Sequence, residues 1–226
     1  MHPLLECLPD IKAQLLKNNN KGVACDIFPS VGDLDIYAST DFDNVLAIID
    51  NVNDVKTMKE RTPTRPQVRV VALEVHTRIG RCYIRTCLTS CKVNALWIYM
   101  NRFSFSLESF GKLMSVMYSL LSDDANIFLW CIDKNLARQY ARSHLLYSDK
   151  NNNILLHYER QPLHNIIDID EIKKCCMDHG FVHECTIRGN EILTNMSKNA
   201  LPYDIWSSQI FCLLQLKPRP HFLNLI

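Results

Sequence analysis

The fold prediction starts from two runs in the first fifty residues, Leu5-Glu6-Cys7-Leu8-Pro9-Asp10-Ile11 and Cys25-Asp26-Ile27-Phe28-Pro29-Ser30-Val31-Gly32-Asp33-Leu34. An asparagine-rich break, Asn18-Asn19-Asn20-Lys21-Gly22, separates them. Pro9 presets φ for a first helical turn and needs no backbone donor there, so Leu8 is left as an apolar side chain outside the helix. The two runs therefore predict two short helices, opened by Leu8-Pro9 and by Asp33-Leu34.

A short helix opened by a Leu-Pro pair, followed by a second opened by an Asp-Leu pair, resembles an F-box, which is a small helical adaptor. The chain departs from the F-box pattern in its long asparagine-rich middle and in its ending, Ser39-Thr40-Asp41-Phe42-Asp43-Asn44-Val45. The alternative is that residues 1–50 form an ordinary N-terminal cap of a globular domain, because short motifs match by chance. On the F-box interpretation the segment recruits a partner and does not catalyse a reaction.

Length, charge and cysteine usage limit the function classes. The chain has 226 residues and a formal net charge of +1, so no global field attracts it to nucleic acid or a membrane. No stretch approaches eighteen uninterrupted apolar residues and no secretory leader is recognisable, which predicts a location in the cytosol or nucleus. The ten cysteines are scattered singly along apolar segments, and we predict that they are reduced and mostly buried.

Composition divides the chain into three parts. Residues 1–50 are the F-box-like segment, and residues 51–67 are polar, contain Pro63 and Pro66, and are predicted to be a linker. Residues 68–226 form an α+β body, in which residues 68–121 make a sheet-plus-helix unit and residues 122–226 a mixed α/β unit. The predicted fold class is therefore α+β, with a small helical segment followed by an antiparallel sheet and packed helices.

Alternating apolar residues predict the strands of the body. Residues 68–75 form one strand, residues 77–80 a turn and residues 81–88 the return strand of a hairpin, and a third strand contains Trp97, Tyr99, Phe103 and Phe105. Ser106 caps a helix with an apolar stripe from Leu107 to Leu121.

The last hundred residues repeat this mixture of elements. The sequence predicts strands at 126–132 and 154–158, a helix at 135–146, and a helix that begins with an Asp168 and Glu171 capping box and ends at Gly180. The segments 181–187 and 208–216 are predicted to pair as antiparallel strands.

Two kinds of chemistry are considered and set aside. The cluster Cys175, Cys176, His179, His183 and Cys185 lacks the paired spacing of a zinc knuckle, as do Cys82, Cys87 and Cys91, so no metal is predicted. There is no glycine-rich phosphate loop, Gly-x-Ser-x-Gly elbow or HExxH helix. The order strand, helix ending at Gly180-Phe181, strand resembles the tail of a Rossmann-like methyltransferase, but the missing glycine loop argues against that interpretation. We therefore predict that the chain is not an enzyme and needs no cofactor.

A second hypothesis is single-strand nucleic-acid binding on the predicted hairpin. Aromatic rings stack on bases while Arg and Lys follow phosphates, and a curved sheet backed by a helix resembles the positive-cofactor and Whirly type of fold. The alternative is a solvated strand face with core aromatics. The predicted nucleic-acid-binding residues are Arg69, Arg81, Tyr83, Arg85 and Arg102, with His76, Arg78, Lys92, Trp97 and Tyr99 nearby.

An F-box-like start, a linker and a body with a possible DNA-binding face together resemble late expression factor seven of insect baculoviruses. That resemblance implies an adaptor that engages the host Skp subunit of a cullin–RING ubiquitin ligase in the host nucleus and cytoplasm. It implies suppression of the host DNA-damage response, which favours viral DNA replication and late gene expression. The alternative function is a single-stranded nucleic-acid-binding accessory protein of replication or transcription. The adaptor-binding residues implied by the resemblance are Leu8, Pro9, Ile11, Ile27, Phe28, Val31 and Leu34.

Overall fold

A computed structural model describes residues 3–17, 21–29, 34, 36–37, 40–61, 67–100, 106–139, 146–148, 154–156, 166–196 and 200–220. The strands are β1 Val23–Ile27, β2 Asn44–Ile49, β3 Val68–Ala72, β4 Val93–Tyr99, β5 Leu121–Ile132, β6 Leu146–Ser148, β7 Ile154–Leu156, β8 Phe181–Arg188 and β9 Phe211–Pro218. The helices are α1 Pro3–Leu16, α2 Val52–Arg61, α3 Arg78–Leu88, α4 Leu107–Leu120, α5 Lys134–Gln139, α6 Ile169–Asp178, α7 Gly189–Met196 and α8 Pro202–Ser207. Among the helices of these ranges, none is long and apolar enough to cross a membrane.

Seven strands form one mixed sheet in the order β3-β2-β1-β4-β5-β9-β8. The first five strands in this order, β3-β2-β1-β4-β5, pair in parallel. Strand β9 pairs antiparallel with both β5 and β8. Strands β6 and β7 form a separate antiparallel pair. The order of the parallel strands reverses between β1 and β4, which are neighbours although β2 and β3 lie between them in the chain.

The two faces of the sheet follow from the register. Asp26 lies opposite Trp97, Trp97 opposite Phe128, and Phe128 opposite Gln215, so these four side chains share one face. Helix α1 packs on that face, because its Lys12 contacts Asp26. On the other face, α4 packs on β8, because the rings of Tyr118 and Phe181 lie 5.5 Å apart. All five residues of β1 are buried, as expected for a parallel strand covered on both sides.

The predicted hairpin is wrong in its second half. The first strand is present as β3, but the predicted return strand at 81–88 is helix α3. Its buried residues Gly80, Ile84 and Leu88 recur every fourth position, which is a helical stripe, and Thr77 caps the helix by accepting a hydrogen bond from Gly80 N. A Cβ at Gly80 would lie 2.1 Å from Glu74 O, so glycine is required for this close approach.

Several other elements agree with the sequence pattern. Ser106 caps α4, Asp168 caps α6, and β8 pairs with β9 as an antiparallel ladder. Gly180 has φ 93°, which explains why glycine ends α6. The predicted strand positions Phe103 and Phe105 lie outside the described residues. Of the predicted helix at 135–146, residues 135–139 are helical and Leu146 belongs to strand β6.

The predicted fold class is wrong for the chain as a whole. The segment expected to be a helical F-box-like unit contains β1 and β2, which lie inside the seven-stranded sheet. Helix α2 occupies most of the stretch predicted to be a linker, and the sheet continues on both sides of it. The physical reason is that residues 23–27, apolar apart from Asp26, pair as a buried parallel strand with the apolar residues 45–49 on one side and with β4 on the other.

Candidate functional site

The strand order places a crevice at the carboxyl ends of β1 and β4. In an open parallel sheet the connections leave these two strands in opposite directions, so a gap opens where the order reverses, and ligands bind there. The described residues at this edge are Phe28 and Pro29 after β1, Asp50 after β2, Glu74 after β3 and Met100 after β4. We call this edge the switch-point crevice.

Phe28 occupies the first loop position after β1 with an unusual backbone conformation. Its φ is 64°, in the left-handed region that favours glycine, and it is the only residue other than glycine with positive φ among those that the structure describes. Its side chain is buried, and its N donates a hydrogen bond to Ile48 O at 2.7 Å. The turn therefore has the backbone shape that a glycine-rich loop provides, with an aromatic residue in the glycine position.

Asp50 presents a carboxylate at the carboxyl end of β2. The five residues before it are buried, whereas Asp50 is exposed at the edge of the sheet. The turn into α2 is fixed by Asn51, whose Oδ1 accepts a hydrogen bond from Asn53 N at 2.9 Å. An acidic residue about twenty positions after the first loop, at the end of the second strand, is where nucleotide-binding sheets hydrogen-bond a ribose.

A buried ion pair lies beside this crevice, on the α1 face of the sheet. Lys12 of α1 and Asp26 of β1 are both completely buried, and the Lys12 ammonium donates to Asp26 Oδ2. The Tyr37 hydroxyl donates to the same oxygen at 3.0 Å. Asp26 therefore joins α1 and the segment containing Tyr37 to the central strand.

Three aromatic rings surround the Lys12 ammonium. Its Nζ lies 5.0, 5.1 and 5.4 Å from the ring centroids of Tyr37, Trp97 and Tyr99. A cation within about 6 Å of an aromatic face is attracted by the ring quadrupole, most strongly when it is desolvated. We call Lys12 with these rings the Lys12 cage. The cage and Asp26 together offset the loss of hydration that burial of a charged lysine entails.

A second polar cluster fixes the chain after β5. Asp133 caps α5, because its Oδ1 accepts hydrogen bonds from Asn135 N at 3.1 Å and Leu136 N at 3.0 Å. Its Oδ2 accepts from Arg188 Nη1 at 2.8 Å, which connects the end of β5 with the end of β8. Asn135 in turn donates to Asp168 Oδ2 at 3.1 Å. These contacts hold the start of α5 and the N-terminus of α6 at the same edge of the sheet as the crevice.

The predicted adaptor-binding residues do not form an exposed face. Leu8, Ile11, Ile27, Phe28 and Leu34 are all at most 6% exposed and belong to the core, and Pro9 lies inside α1 with partial exposure. Val31 lies outside the described residues. A hydrophobic anchor has to be accessible to a partner, so these side chains stabilise the fold instead of recruiting an adaptor.

The predicted nucleic-acid face is also dispersed. Trp97 and Tyr99 are 1% and 4% exposed, so neither ring is available to stack on a base. Arg69 Nη2 donates to the Tyr83 hydroxyl at 2.7 Å, which links β3 to α3. Arg81 and Arg85 lie on α3 instead of a strand, and Arg102 lies outside the described residues. Arg69 and Tyr83 are therefore neighbours, but the predicted strand face does not form, because Trp97 and Tyr99 are buried and Tyr83 lies on a helix.

The cysteine and histidine residues between Cys175 and Cys185 do not form a metal site in the structure. Within the described ranges, no group of three or more His, Cys, Asp or Glu side chains could hold a metal ion. Cys175 Sγ lies 3.8 Å from His179 Nδ1, and His183 Nε2 lies 2.9 Å from Thr186 Oγ1. Burial raises the pKa of Cys175 to about 11 and raises that of Cys176 as well, so both are protonated thiols at neutral pH.

Thiol labelling should follow this burial. At pH 8 we expect rapid labelling of the exposed Cys82 and Cys91, and very slow labelling of Cys175 and Cys176, because the thiolate is the reactive form. The measurement is a timed reaction with a chromogenic disulfide, mapped by peptide mass spectrometry. Unfolding in guanidinium is the control and should make all ten thiols reactive. Rapid native labelling of Cys175 would contradict the described packing.

Comparison with known proteins gives a fold but no sequence relative. No protein-family model and no curated protein sequence matches the chain. The N-methyltransferase NodS from Bradyrhizobium japonicum is 7% identical with a TM-score of 0.62, covering 96% of this chain and 97% of its own. An S-adenosylmethionine-dependent methyltransferase from Clostridium acetobutylicum is 9% identical with a TM-score of 0.60, covering 95% and 92%. Magnesium protoporphyrin IX methyltransferase from Synechocystis is 13% identical with a TM-score of 0.59, covering 95% and 84%.

The fold is the Rossmann-like fold of methyltransferases. The match extends over nearly the whole of each chain, so it includes β1, β2 and α1 as well as the later strands. This overturns the resemblance to the baculovirus F-box family, and the adaptor, its Skp–cullin partnership and the single-strand-binding alternative are corrected with it. The same comparisons contradict the expectation of a non-enzymatic protein, since the solved structures that share the fold are named as methyltransferases. The sequence lacks the glycine loop of that fold, but Phe28, directly after β1, has the backbone conformation that glycine usually adopts.

Proposed function

We propose that the chain binds a cofactor of the S-adenosylmethionine type in the switch-point crevice and transfers its methyl group to an acceptor. The observation that carries the proposal is Asp50, an exposed carboxylate at the end of β2, next to a left-handed turn at Phe28. Support also comes from the solved structures that share this fold, which are named as methyltransferases.

Each described residue has a definite role in this proposal. Asp50 accepts hydrogen bonds from the ribose hydroxyls, as acidic residues do at this position of nucleotide-binding sheets. The turn at Phe28 brings the backbone of the first loop to the edge of the crevice. Lys12 and Asp26 fix α1 against β1, so the floor of the crevice is rigid before a ligand arrives. Asp133 and Arg188 join the start of α5 to the end of β8, at the edge of the sheet where a methyl acceptor can lie.

A bound cofactor of this type supplies a methyl group on a sulfonium, which passes to a nucleophile and leaves a neutral thioether. The chain therefore has to hold the cofactor and bring the acceptor into line, because the sulfonium already activates the methyl group. Positioning of this kind supplies much of the acceleration of a two-reactant step.

One observation favours a second candidate, a methyltransferase-fold protein that binds no cofactor. In dinucleotide-binding loops glycine lets the backbone approach the ligand, whereas this chain has Phe28 first and Ser30 third in the same loop. On this candidate the aromatic side chain closes the loop against the core and the fold serves another purpose.

Binding of S-adenosylhomocysteine, measured by titration calorimetry, separates the two candidates. Asp50→Ala should weaken binding about 10-fold to 100-fold, because a hydrogen bond to a charged group contributes roughly 1.5–3 kcal/mol. Asp123→Ala is the matched control, since Asp123 is an exposed carboxylate at the start of β5, on the opposite edge of the sheet. Absence of binding by the wild-type protein at millimolar ligand would overturn the proposal and leave the second candidate. Transfer of a tritiated methyl group from S-adenosylmethionine to an acceptor fraction would then test catalysis itself.

A further inference from the structure

The Lys12 cage lies where the strand order reverses. Asp26 is the last residue but one of β1, and Trp97 and Tyr99 are among the last three residues of β4. The cage therefore sits at the carboxyl ends of the two strands that flank the switch-point crevice, with Asp26 directly opposite Trp97 in the register. A carboxylate and three aromatic rings surround one position there, and the group that occupies it is the ammonium of Lys12.

The cage does not satisfy the hydrogen-bonding groups of a primary ammonium. Lys12 Nζ carries three N–H donors and is completely buried, and within the described part of the chain its one hydrogen bond is to Asp26 Oδ2. The indole N–H of Trp97, which is 1% exposed, is a further donor without an acceptor among the described residues. Buried donors in folded proteins are nearly always paired, and each exception calls for an explanation.

A cation without N–H groups matches this position better than Lys12 does. Methylated ammonium and sulfonium groups carry a positive charge and no donor, and cages of aromatic rings are the environment that recognises such cations. Exchange of Lys12 for one of them keeps the carboxylate of Asp26 paired, so no buried charge is left alone. The displaced ammonium regains the water that hydrates it strongly, and its flexible four-carbon stem lets it turn away from the rings.

We infer that the Lys12 cage is a binding site for a methylated onium group and that Lys12 fills it until a ligand arrives. The choice of ligand rests on the proposed function, because a cofactor of the S-adenosylmethionine type carries a methylated sulfonium. S-adenosylhomocysteine, which remains after methyl transfer, carries a neutral thioether at the same place. The cage therefore distinguishes the two forms, since the cofactor displaces Lys12 and the product lets Lys12 return.

Acetylation of lysines in the wild-type protein tests the displacement. The intact chain is treated with an amine-acetylating reagent in the presence of S-adenosylmethionine, S-adenosylhomocysteine, tetramethylammonium chloride or sodium chloride, and the modified lysines are mapped by peptide mass spectrometry. We expect Lys12 to react at least about tenfold faster with S-adenosylmethionine or tetramethylammonium than with the other two, because burial otherwise protects it. Lys56, which is 84% exposed, is the internal control and should react equally throughout.

The outcomes of that experiment separate the inference from the proposed function. Exposure of Lys12 by tetramethylammonium but not by S-adenosylmethionine would support the cation site and count against the cofactor. Protection of Lys12 under all four conditions, or equal exposure by S-adenosylhomocysteine and S-adenosylmethionine, would overturn the inference.

The variant Lys12→Ala empties the cage and gives a second test. We expect tetramethylammonium chloride to raise its melting temperature by about 4 °C or more above that in sodium chloride, because a ligand that binds only the folded form stabilises it. The shift should be smaller in Lys56→Ala, in which Lys12 still competes for the cage. An unchanged melting temperature of folded Lys12→Ala would overturn the inference. If this variant does not fold in either salt, the acetylation of the wild-type protein decides.

Discussion

Replacing Lys12 with methionine is expected to lower the free energy of unfolding by about 3–5 kcal/mol, because it leaves the carboxylate of Asp26 buried without its ionic partner. Methionine has a similar length and volume, so the effect comes from charge and not from a cavity. The Tyr37 hydroxyl still donates to Asp26 in the variant, but one neutral hydrogen bond does not offset the desolvation of a buried carboxylate. Chemical denaturation followed by circular dichroism gives the measurement.

A double variant identifies the cause of that loss. Lys12→Met with Asp26→Asn removes both charges and keeps an acceptor for Tyr37, so most of the lost stability should return. Lys56→Met is the matched control, since Lys56 is 84% exposed and its pairing with Glu60 is a surface ion pair. If Lys12→Met were as stable as the wild-type protein, Lys12 would be hydrated in solution and the cage description would be wrong.

The elements that sequence predicted correctly are those that local patterns determine. Helix α4 has a serine cap and an apolar stripe, and α6 begins at Asp168 and ends before a left-handed glycine. The pair of β8 and β9 was also predicted, although it joins segments about twenty residues apart; β9 is a mainly apolar run, and Gly180 and Gly189 bound the more polar β8. The two helices depend on residues close in the chain.

The error in the first fifty residues has a different origin. A buried parallel strand has no alternation, so Val23–Ile27 cannot be distinguished from a short buried helix by periodicity. Its partners, β2 and β4, are separated from it by long connections, and no local signal specifies that pairing. The Leu8-Pro9 pair resembles the start of an F-box and so predicted a helical adaptor, although Leu8 packs into the core.

The sequence did not predict the switch-point crevice, because the glycine-rich loop that usually marks such a site is altered. Phe28 replaces the first glycine of the loop, so a search for a glycine-rich loop fails even though the backbone has the expected φ. The remaining signal is the spacing between two apolar runs, each followed by an edge residue, with Asp50 after the second. Lys12 has no sequence signature as a buried cation, because its partners Asp26 and Trp97 are distant in the chain.

At Phe28 we expect the glycine variant to be more stable than the alanine variant, which is the reverse of the usual order of stability. Phe28→Ala removes a buried ring, which typically lowers stability by about 3–5 kcal/mol, and keeps a Cβ in the left-handed conformation. Phe28→Gly removes the same ring and also relieves the backbone, whose strain is of order 1–3 kcal/mol for a residue with a side chain. We therefore expect Phe28→Gly to be more stable than Phe28→Ala by about 1 kcal/mol, measured by denaturant titration.

Phe128 in β5 provides the contrast for that comparison, because it is equally buried and has an ordinary strand conformation. We expect Phe128→Gly to be less stable than Phe128→Ala by about 0.5–1 kcal/mol, as in any strand interior. If the glycine variant were less stable than the alanine variant at Phe28 as well, the backbone at Phe28 would not keep a positive φ in solution. A more stable glycine variant at Phe28, with a less stable one at Phe128, would mean that the turn at Phe28 keeps a glycine-type conformation under strain. That conformation is the backbone shape that the proposed cofactor site requires.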